Sequence, residues 1–328
     1  MVELSIVVPC FNEEDMIPLL VERLVTATEE WSGRREILLV DDGSADQTWQ
    51  LIQDAAKSHS ELRGLRLSSN RGHQNALTAG LEAARGDRIF MLDADLQDPP
   101  ELVTEMMAVM DQGYDVVYGR RAQRMGETVF KRLSAYVFYR ILNRLSDIEI
   151  PNDTGDFRLV NRTSLDAVLQ MPERSRFLRG MFSWVGFNQI GLEYIRKERI
   201  AGETKYPFRA MLRFGLDAVT GFSTRPLRLA TRLSFLSLLI TLIILVYIIG
   251  SLIFYQTAPG WASTLLAVSF FSSVQLLTLG IIGEYLGRLY MEAKGRPLYI
   301  TAEDTLVTDV DEDTEIDHST SPKKAMNS

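Results

Sequence analysis

The chain has 328 residues, of which 46% are hydrophobic, and this length predicts two or more structural units. Its formal net charge of -8 is concentrated at one end, because the segment 303–328 contributes -6 and leaves the remainder nearly neutral. The single cysteine, Cys10, excludes an intramolecular disulfide, and three histidines far apart in sequence do not indicate a zinc cluster.

Short apolar runs alternate with amphipathic segments along the N-terminal part of the chain. Residues 3–9 predict a strand, and Ile17, Leu20 and Leu24 follow it at helical spacing. A second strand at 36–40 precedes a helix at about 46–57. The stretches GLRLSSN, HQNALTAGLEAARG (ending at Gly86) and DRIFMLD then predict a third strand, a third helix and a fourth strand. This alternation predicts an α/β fold with a doubly wound sheet, in which ligands bind beyond the carboxyl ends of the parallel strands.

Polar residues follow three of the predicted strands and would therefore meet at one rim of the sheet. Asn12 and Glu13 follow the first strand, Asp42-Gly43-Ser44 the second, and Asp93 and Asp95 the fourth. A turn with a helix cap is the alternative for the second group. Neither G-x-G-x-x-G nor G-x-x-x-x-G-K-S/T occurs in the chain. The rim instead suits a nucleotide whose base is read by an Asp and whose diphosphate is neutralised by a metal.

The stretch FMLDADLQDPPEL, residues 90–102, concentrates three carboxylates after an apolar run. Asp93 and Asp95 would project on the same side if the extended conformation continued beyond the strand. Such a pair suits Mg2+ or Mn2+, which prefer oxygen ligands and keep positions open for substrate phosphates. A solvated loop that leads into a helix at Pro99-Pro100-Glu101 is the alternative.

Residues 233–283 contain no Asp, Glu, Lys, Arg or His. About 20 apolar residues cross a bilayer as a helix, so we expect two transmembrane helices, at about 229–255 and about 262–284. A buried hairpin of a soluble core is the alternative. Basic residues flank both spans: Arg225, Arg228, Arg232, Arg288, Lys294 and Arg296. By the positive-inside rule, the N-terminal region of more than 220 residues and the acidic C-terminal segment are both expected in the cytoplasm.

Several cations could bind a phosphate group. They are Arg120-Arg121 after the strand DVVYG, Lys131-Arg132, and Lys205 in GETKY; a solvated surface is the alternative for each. The amphipathic stretches 129–145 and 208–222 could lie in the headgroup interface, and packing against the soluble domain explains them equally well. A lipid phosphate with its second pKa near 6 is already largely anionic at pH 7, so it needs cations more than it needs a strong base.

The motifs IVVPCFNEE, VDDGSADQT, NRGHQNAL, DADLQDPPE, GDFRL and GETKY together resemble a family-2 glycosyltransferase of the GT-A fold. The subgroup that the chain most resembles is the polyprenyl-phosphate glycosyltransferases, relatives of dolichyl-phosphate mannose synthase. The resemblance runs from about residue 3 to about residue 300 and includes the paired apolar spans with GEYLGRLY and RPLY. Phe11 departs from the pattern, because Tyr is usual there; ring stacking is kept but a hydroxyl is lost.

The resemblance implies a role for individual residues. The nucleotide's base and ribose would contact Pro9, Phe11, Asn12, Glu13 and Asp42, and the diphosphate-bridged metal would be held by Asp93, Asp95 and Gln97. Asp156 would lie in the catalytic centre with Asp95 and Arg158, either orienting the cations around the acceptor phosphate or acting as a base. An ion-paired loop is the alternative for Asp156 and Arg158. The diphosphate or acceptor phosphate would contact Arg120, Lys131, Arg132 and Lys205.

The expected enzyme is a membrane-bound, inverting, metal-dependent transferase that moves a sugar from a UDP-sugar to a polyprenyl phosphate such as undecaprenyl phosphate. UDP-glucose is the first choice, because PNDTGDFRL and PERSRFLRGMFSWVGF look closest to the glucosyl branch. GDP-mannose, UDP-galactose and modified UDP-pentoses stay open as donors, and a noncatalytic membrane scaffold is the alternative from another class. A processive polysaccharide synthase is disfavoured because Q-x-x-R-W is absent, and a transporter because the spans carry no ionisable residue.

The expected organisation has five parts, with the enzyme in the inner or plasma membrane as a multi-pass protein. They are a cytosolic GT-A catalytic domain (1–205), a juxtamembrane amphipathic helix (206–228), a transmembrane hairpin (229–284), a juxtamembrane segment (285–302) and an acidic disordered tail (303–328). The expected partners are a sugar nucleotide, a polyprenyl phosphate and the membrane, with no nucleic acid. The oligomeric state stays open, although the short spans could pack between protomers of a homo-oligomer.

Overall fold

The structure, a computed structural model, describes residues 2–29, 31–122, 154–195, 225–254 and 260–306. The predicted interface stretch 129–145, most of the predicted juxtamembrane helix 206–228, and the tail beyond residue 306 lie outside the described residues.

The first half of the catalytic region alternates strands and helices as predicted. Its elements are β1 (Leu4–Cys10), α1 (Ile17–Ala27), β2 (Arg35–Asp41), α2 (Thr48–Ser58), β3 (Leu62–Leu67), α3 (His73–Ala83), β4 (Arg88–Met91) and, after a short 3-10 turn at Pro100–Leu102, α4 (Val103–Met110). Strand β1 is buried along its whole length, which explains why LSIVVPC reads as a continuous apolar run rather than an alternating one.

The second half adds shorter elements and two long helices. They are β5 (Val116–Arg121), β6 (Thr154–Asn161), α5 (Arg162–Leu169), α6 (Leu178–Trp184), β7 (Gln189–Tyr194), α7 (Arg225–Phe254), α8 (Trp261–Ala293) and β8 (Thr301–Asp304). The start of α5 is fixed by Asn161, whose side chain accepts a hydrogen bond from the Ser164 N–H, the usual arrangement of a helix N-cap.

One sheet contains all eight described strands, in the order β7-β5-β6-β4-β1-β2-β3-β8. Strands β4, β1, β2 and β3 run parallel, whereas β6 runs antiparallel to both β4 and β5. Helices α1, α2 and α4 cover one face of the sheet, and α3, α5 and α6 cover the other. Helix α3 lies very close to the sheet at Gly80, where a Cβ atom would come within 2.3 Å of the Val7 side chain. The predicted α/β fold with a GT-A-type sheet is confirmed.

Several predicted boundaries shift. Helix α3 ends at Ala83 rather than at Gly86, because Ala84 adopts an extended backbone conformation. Strand β4 ends at Met91, whereas the prediction extended it to Asp93. The extended conformation that would project Asp93 and Asp95 on the same side is therefore absent, and a turn follows in which Leu96 has a positive φ of 52°. The segment TGDFRL, for which a loop was the alternative, forms the buried strand β6.

The C-terminal end of the described chain differs from the expectation. Glu303 and Asp304, which we assigned to the acidic tail, belong to β8, and this strand pairs antiparallel with β3. Their charge has partners, because Arg66 lies 3.0 Å from Glu303 and Arg63 lies 2.5 Å from Asp304. The acidic composition therefore does not mark the point at which the folded part ends.

Helices α7 and α8 are each long and apolar enough to cross a membrane, judged by length and composition. Both extend further than the predicted spans, since α7 begins at Arg225 and α8 continues to Ala293. The added turns contain the flanking charges, such as Arg228 and Arg288, so the helices continue beyond their apolar parts.

Candidate active site

The loops after β1 and β2 are joined to each other by hydrogen bonds. The Asn12 N–H donates to Ser44 Oγ at 2.9 Å, and the Ala45 N–H donates to Asn12 Oδ1 at 3.0 Å. The Glu13 N–H donates to Thr48 Oγ1 at 2.8 Å. Asn12 has a φ of 52°, in the left-handed region that Asn tolerates better than most residues. The two loops therefore form one fixed wall at the rim of the sheet.

Phe11 and Pro9 lie at this wall with different exposures. Pro9 is buried within β1 opposite Val40 of β2, whereas the Phe11 ring is 40% exposed. An exposed ring on the loop after β1 provides a surface for stacking a planar base.

Both carboxylates of the Asp41-Asp42 pair are buried and receive hydrogen bonds. Asp42 accepts the backbone N–H groups of Arg71 at 2.7 Å and Gly72 at 2.9 Å, so it fixes the loop that leads into α3. Asp41 accepts the Ser44 N–H at 3.0 Å. Burial raises the pKa of Asp42, although these backbone hydrogen bonds oppose the shift. Asp42 thus already holds two backbone groups in the position where the resemblance places a contact to the nucleotide.

The acidic residues after β4 separate into two groups. Asp93, Asp95 and Gln97 are partly exposed at the rim, and the Gln97 N–H donates to Asp95 Oδ1 at 3.1 Å. Asp98 instead is buried and accepts a hydrogen bond from the Tyr194 hydroxyl at 2.5 Å. The anionic charge of this stretch is therefore divided between the rim and the core.

Asp156 lies in β6 and is surrounded by donors from two helices. The Gln74 amide donates to Asp156 Oδ2 at 2.8 Å, and His73 Nε2 lies 3.3 Å from the same oxygen. Arg179 Nε donates to Asp156 Oδ1 at 3.0 Å. Gln74 also accepts the Leu178 N–H at 3.0 Å, which fixes the first turn of α6 and hence the position of Arg179. Residues from β6, α3 and α6 thus form one polar network.

The electrostatics of this network follow from its burial and its charges. Burial alone would raise the pKa of Asp156, but Arg179 and His73 lower it well below its usual value. Burial alone would lower the pKa of His73, but the hydrogen bond to Asp156 and the charge of Asp93 raise it to about 9. The buried Asp156 carboxylate is therefore stabilised as an anion by donors of the protein, which makes it a weak base.

A divalent metal fits this edge of the sheet. Asp93 Oδ1 is buried and receives no hydrogen bond from the described residues, although His73 Nε2 lies 3.4 Å away. A carboxylate oxygen in this condition suits a hard cation. Ligand atoms of His73, Asp93 and Asp156 lie within 4.8 Å of one another. The predicted metal ligands are Asp93, Asp95 and Gln97, so the two groups have Asp93 in common.

Comparison with known proteins places the whole chain in one family. The pattern described as "Glycosyl transferase family 2" matches residues 5–169. An uncharacterized glycosyltransferase of Bacillus subtilis, YkcC, is 44% identical over 302 residues, which cover 91% of this chain and 93% of the relative. The chain belongs to glycosyltransferase family 2. The predicted family is thereby confirmed.

Two further relatives of this glycosyltransferase have more specific names. The prophage bactoprenol glucosyl transferase homolog of Escherichia coli is 37% identical over 91% of this chain and 98% of the relative. The bactoprenol glucosyl transferase of Shigella phage SfII is 37% identical over 91% of this chain and 97% of the relative. Both matches extend beyond the catalytic sheet, because they cover nearly the full length of the two proteins.

Solved structures resemble the glycosyltransferase more distantly. Staphylococcus aureus TarS 1-349 in complex with UDP-GlcNAc is 19% identical, with a TM-score of 0.45 and coverage of 66% of this chain and 65% of that chain. Mycobacterium tuberculosis glucosyl-3-phosphoglycerate synthase in complex with Mn2+, UDP-glucose and phosphoglyceric acid is 19% identical, with a TM-score of 0.42 and coverage of 66% and 77%.

The remaining predicted residues of the glycosyltransferase either bind groups other than Asp156 or lie outside the described residues, although Arg158 interacts electrostatically with Asp156 and Arg179. Arg158 is buried below the rim, where it donates to the Gly155 carbonyl at 3.1 Å and lies 5.0 Å from the centre of the Phe182 ring. Burial lowers its pKa to about 10. Arg120 is exposed and pairs with Glu193 on the neighbouring strand. The cations Lys131, Arg132 and Lys205 lie outside the described residues.

Three residues that the structure brings to Asp156 were not predicted to have a role. His73 and Gln74 belong to the motif NRGHQNAL, and Arg179 belongs to PERSRFLRGMFSWVGF; both stretches were noted only for their likeness to the family. Their contacts could not be predicted from local sequence patterns, because Gln74 and Asp156 are 82 positions apart in the chain.

Proposed function

We propose that this family-2 glycosyltransferase moves glucose from UDP-glucose to a polyprenyl phosphate such as undecaprenyl phosphate and inverts the anomeric carbon. The observation that carries the proposal is the near full-length match, at 37% identity, to bactoprenol glucosyl transferases. The match covers 302 residues, more than the sheet alone contains, so the likeness includes the apolar helices.

The donor binds at the wall formed by the β1 and β2 loops. The base stacks on the exposed Phe11 ring, Pro9, Asn12 and Glu13 form the loop around it, and Asp42 fixes the neighbouring backbone at Arg71. Asp93, Asp95 and Gln97 would hold Mg2+ or Mn2+, and the metal would supply positive charge that offsets the charge of the leaving diphosphate. The orphaned Asp93 oxygen supports this assignment.

The acceptor phosphate is the nucleophile. One of its oxygens forms a bond to the anomeric carbon of glucose while the bond from that carbon to the UDP oxygen breaks, and the electron pair leaves with UDP. The acceptor is already largely ionised at pH 7, so no group has to remove a proton. A single displacement of this kind inverts the anomeric centre.

Asp156 acts as an orienting residue rather than as a base. Its two oxygens already accept hydrogen bonds from Arg179 and Gln74, and a carboxylate stabilised in this way has little tendency to take a proton. Its role is to hold the Arg179 guanidinium beside the rim, where the cation offsets the repulsion between the acceptor phosphate and the anionic donor. Arg120, Lys131, Arg132 and Lys205 are further candidates for phosphate contacts, and Arg158 supports β6 from below.

The helices α7 and α8 anchor the catalytic domain to the cell membrane as a hairpin, with the catalytic domain and both termini in the cytoplasm. The basic residues at both ends of the hairpin support this orientation. The location suits the reaction, because a polyprenyl phosphate stays in the bilayer and presents only its head group to a cytoplasmic site.

The test is transfer of radiolabelled sugar to undecaprenyl phosphate in liposomes, with a panel of UDP- and GDP-sugars and with Mg2+ or Mn2+. We expect lipid-linked label from UDP-glucose, lost with a chelator and lost in Asp95→Asn. Asp54→Asn, a change at an exposed carboxylate on α2, is the matched control and should keep activity. Label from GDP-mannose or a UDP-pentose would replace the donor in the proposal. Nucleotide binding without transfer from any donor would contradict the transferase and favour a scaffold.

A further inference from the structure

The segment after α8 returns to the catalytic sheet and completes its edge. Strand β8 pairs with β3, and the pairing continues on both sides of the strand: the Ser68 N–H donates to the Ile300 carbonyl at 2.8 Å, and the Gly64 N–H donates to Thr305 Oγ1 at 3.0 Å. The Tyr299 hydroxyl donates to Glu82 of α3 at 2.5 Å. This segment, residues 299–305, is therefore a built part of the catalytic domain.

Glu303 of β8 accepts hydrogen bonds from three side chains. Its Oε2 accepts hydrogen bonds from the Trp49 indole N–H at 3.1 Å and from the Gln53 amide at 3.3 Å. Its Oε1 accepts a hydrogen bond from Arg66 Nη1 at 3.0 Å. The Arg66 guanidinium also lies 5.8 Å from the centre of the Trp49 ring. Three side chains from α2 and β3 thus converge on one carboxylate.

Arg66 connects this carboxylate to the nucleotide wall. Its Nε lies 3.3 Å from Oδ2 of Asp41, a fully buried oxygen that receives no conventional hydrogen bond from the described residues. The other oxygen of Asp41 accepts the Ser44 N–H at 3.0 Å, and Ser44 Oγ in turn accepts the Asn12 N–H at 2.9 Å. A continuous series of contacts therefore runs from β8 to the loop that carries Phe11.

We propose that Arg66, held by Glu303, is a positioning residue for nucleotide binding, so that the strand after the second apolar helix is part of the donor site. Arg66 touches no substrate in this proposal. It balances the charge of Asp41, and Asp41 keeps Ser44 and the Asn12 loop in the geometry that receives the base. The inference rests on the proposed function, since it takes the wall of the β1 and β2 loops as the nucleotide site.

A neighbouring pair supplies a matched control. Arg63 also lies on β3 and also binds a carboxylate of β8, with hydrogen bonds to both oxygens of Asp304 at 3.0 and 2.5 Å. Its third contact is the Ala83 carbonyl of α3, so it has no connection to Asp41. If β8 served stability alone, loss of the Arg63 pair and loss of the Arg66 pair would have the same consequence for nucleotide binding.

The experiment is calorimetric titration of the full-length protein in detergent micelles with UDP and, in parallel, GDP, in the presence of Mg2+. We expect Arg66→Met to raise the Kd for UDP about tenfold, which corresponds to about 1.4 kcal/mol, and Glu303→Gln to raise it about threefold. Arg66→Lys should restore part of the affinity, because it keeps the charge but not both contacts. Arg63→Met and Asp304→Asn should leave the Kd within about twofold of wild type even where they lower the melting temperature.

Equal weakening of UDP binding by the Arg63 and Arg66 variants would overturn the inference, and so would an unchanged Kd in Arg66→Met. If Arg66→Met does not fold, the comparison of Glu303→Gln with Asp304→Asn decides, because both changes are isosteric and lie in the same strand. Wild-type protein that binds neither UDP nor GDP would contradict the proposed function itself and would overturn the inference with it. The wild-type titration therefore separates failure of the proposed function from failure of the positioning role of Arg66.

Discussion

The ion pair of Asp156 and Arg179 allows the orienting role to be separated from a role as base. We consider Asp156→Asn and Arg179→Gln, made singly and together. If Asp156 acts only by holding Arg179, either single change removes the same interaction, and the double variant is hardly worse than each single one. If Asp156 is a base, the two changes remove different contributions and their effects multiply.

The expected magnitude follows from the geometry of the pair. The Asp156 side chain is 3% exposed and the Arg179 side chain 24%, and Nε lies 3.0 Å from Oδ1. A hydrogen bond to a charged group of this kind contributes roughly 1.5–3 kcal/mol. At about 1.36 kcal/mol per tenfold change in rate, each single variant should lose roughly 10- to 150-fold in kcat/KM, and the double variant should stay in the same range.

The assay is transfer of labelled glucose to undecaprenyl phosphate, with a melting curve for every variant to confirm folding. Arg88→Gln and Asp111→Asn provide a control cycle, because their ion pair joins β4 and α4 at the surface and Asp111 is 59% exposed. This pair should give less than about 1 kcal/mol of coupling and no loss of transfer. A double variant reduced by the product of the single effects, on the order of 10²- to 10⁴-fold, would refute the orienting role.

Three further predictions concern the loop at Gly43, the bridging side chain of Gln74 and the ion pair of Asp304. Gly43→Ala should abolish nucleotide binding, because Gly43 has a φ of 67° and a Cβ would come within 2.7 Å of the Ser69 backbone; a UDP titration checks this. Gln74→Leu should lower the free energy of unfolding in urea by about 1–3 kcal/mol, since the Leu178 N–H loses its acceptor and Asp156 loses one of its donors, whereas an unchanged midpoint would contradict the bridging role. Burial would raise the pKa of Asp304, but hydrogen bonds from Arg63 lower it, so its stabilising effect is complete above the unfolded pKa of about 3.9 and is lost as the pH falls through the folded value. Asp304→Asn should flatten that acid dependence, as measured by urea unfolding between about pH 2 and pH 5.

Elements that rest on local patterning could be predicted from the sequence. The alternation of apolar runs and amphipathic segments placed β1, β2, β4 and the helices between them, and the uncharged stretch 233–283 predicted α7 and α8. The rim was predictable for the same reason, because residues that follow parallel strands must meet at one edge of the sheet. The resemblance to the family then supplied roles that no spacing could provide.

Features that depend on contacts distant in sequence were not predictable. Strand β8 reads as the start of an acidic tail because the arginines that pair with Glu303 and Asp304 lie on β3, more than 230 positions earlier. Arg179 reads as one of several basic residues in a loop, and only the fold brings it to Asp156. Composition measures the charge of a segment, but the free energy of that charge depends on its partners.

The end of α8 contacts the loop that leads to Arg179. Glu292 accepts the Arg174 N–H at 2.8 Å, and Arg288 donates to Ser175 Oγ at 3.3 Å. Only a few positions later the chain reaches Arg179, whose partner is Asp156. The same helix leads into β8, whose Glu303 pairs with Arg66 of β3. The end of α8 is therefore joined to the folded sheet region at two places, through the loop before Arg179 and through the strand that pairs with β3.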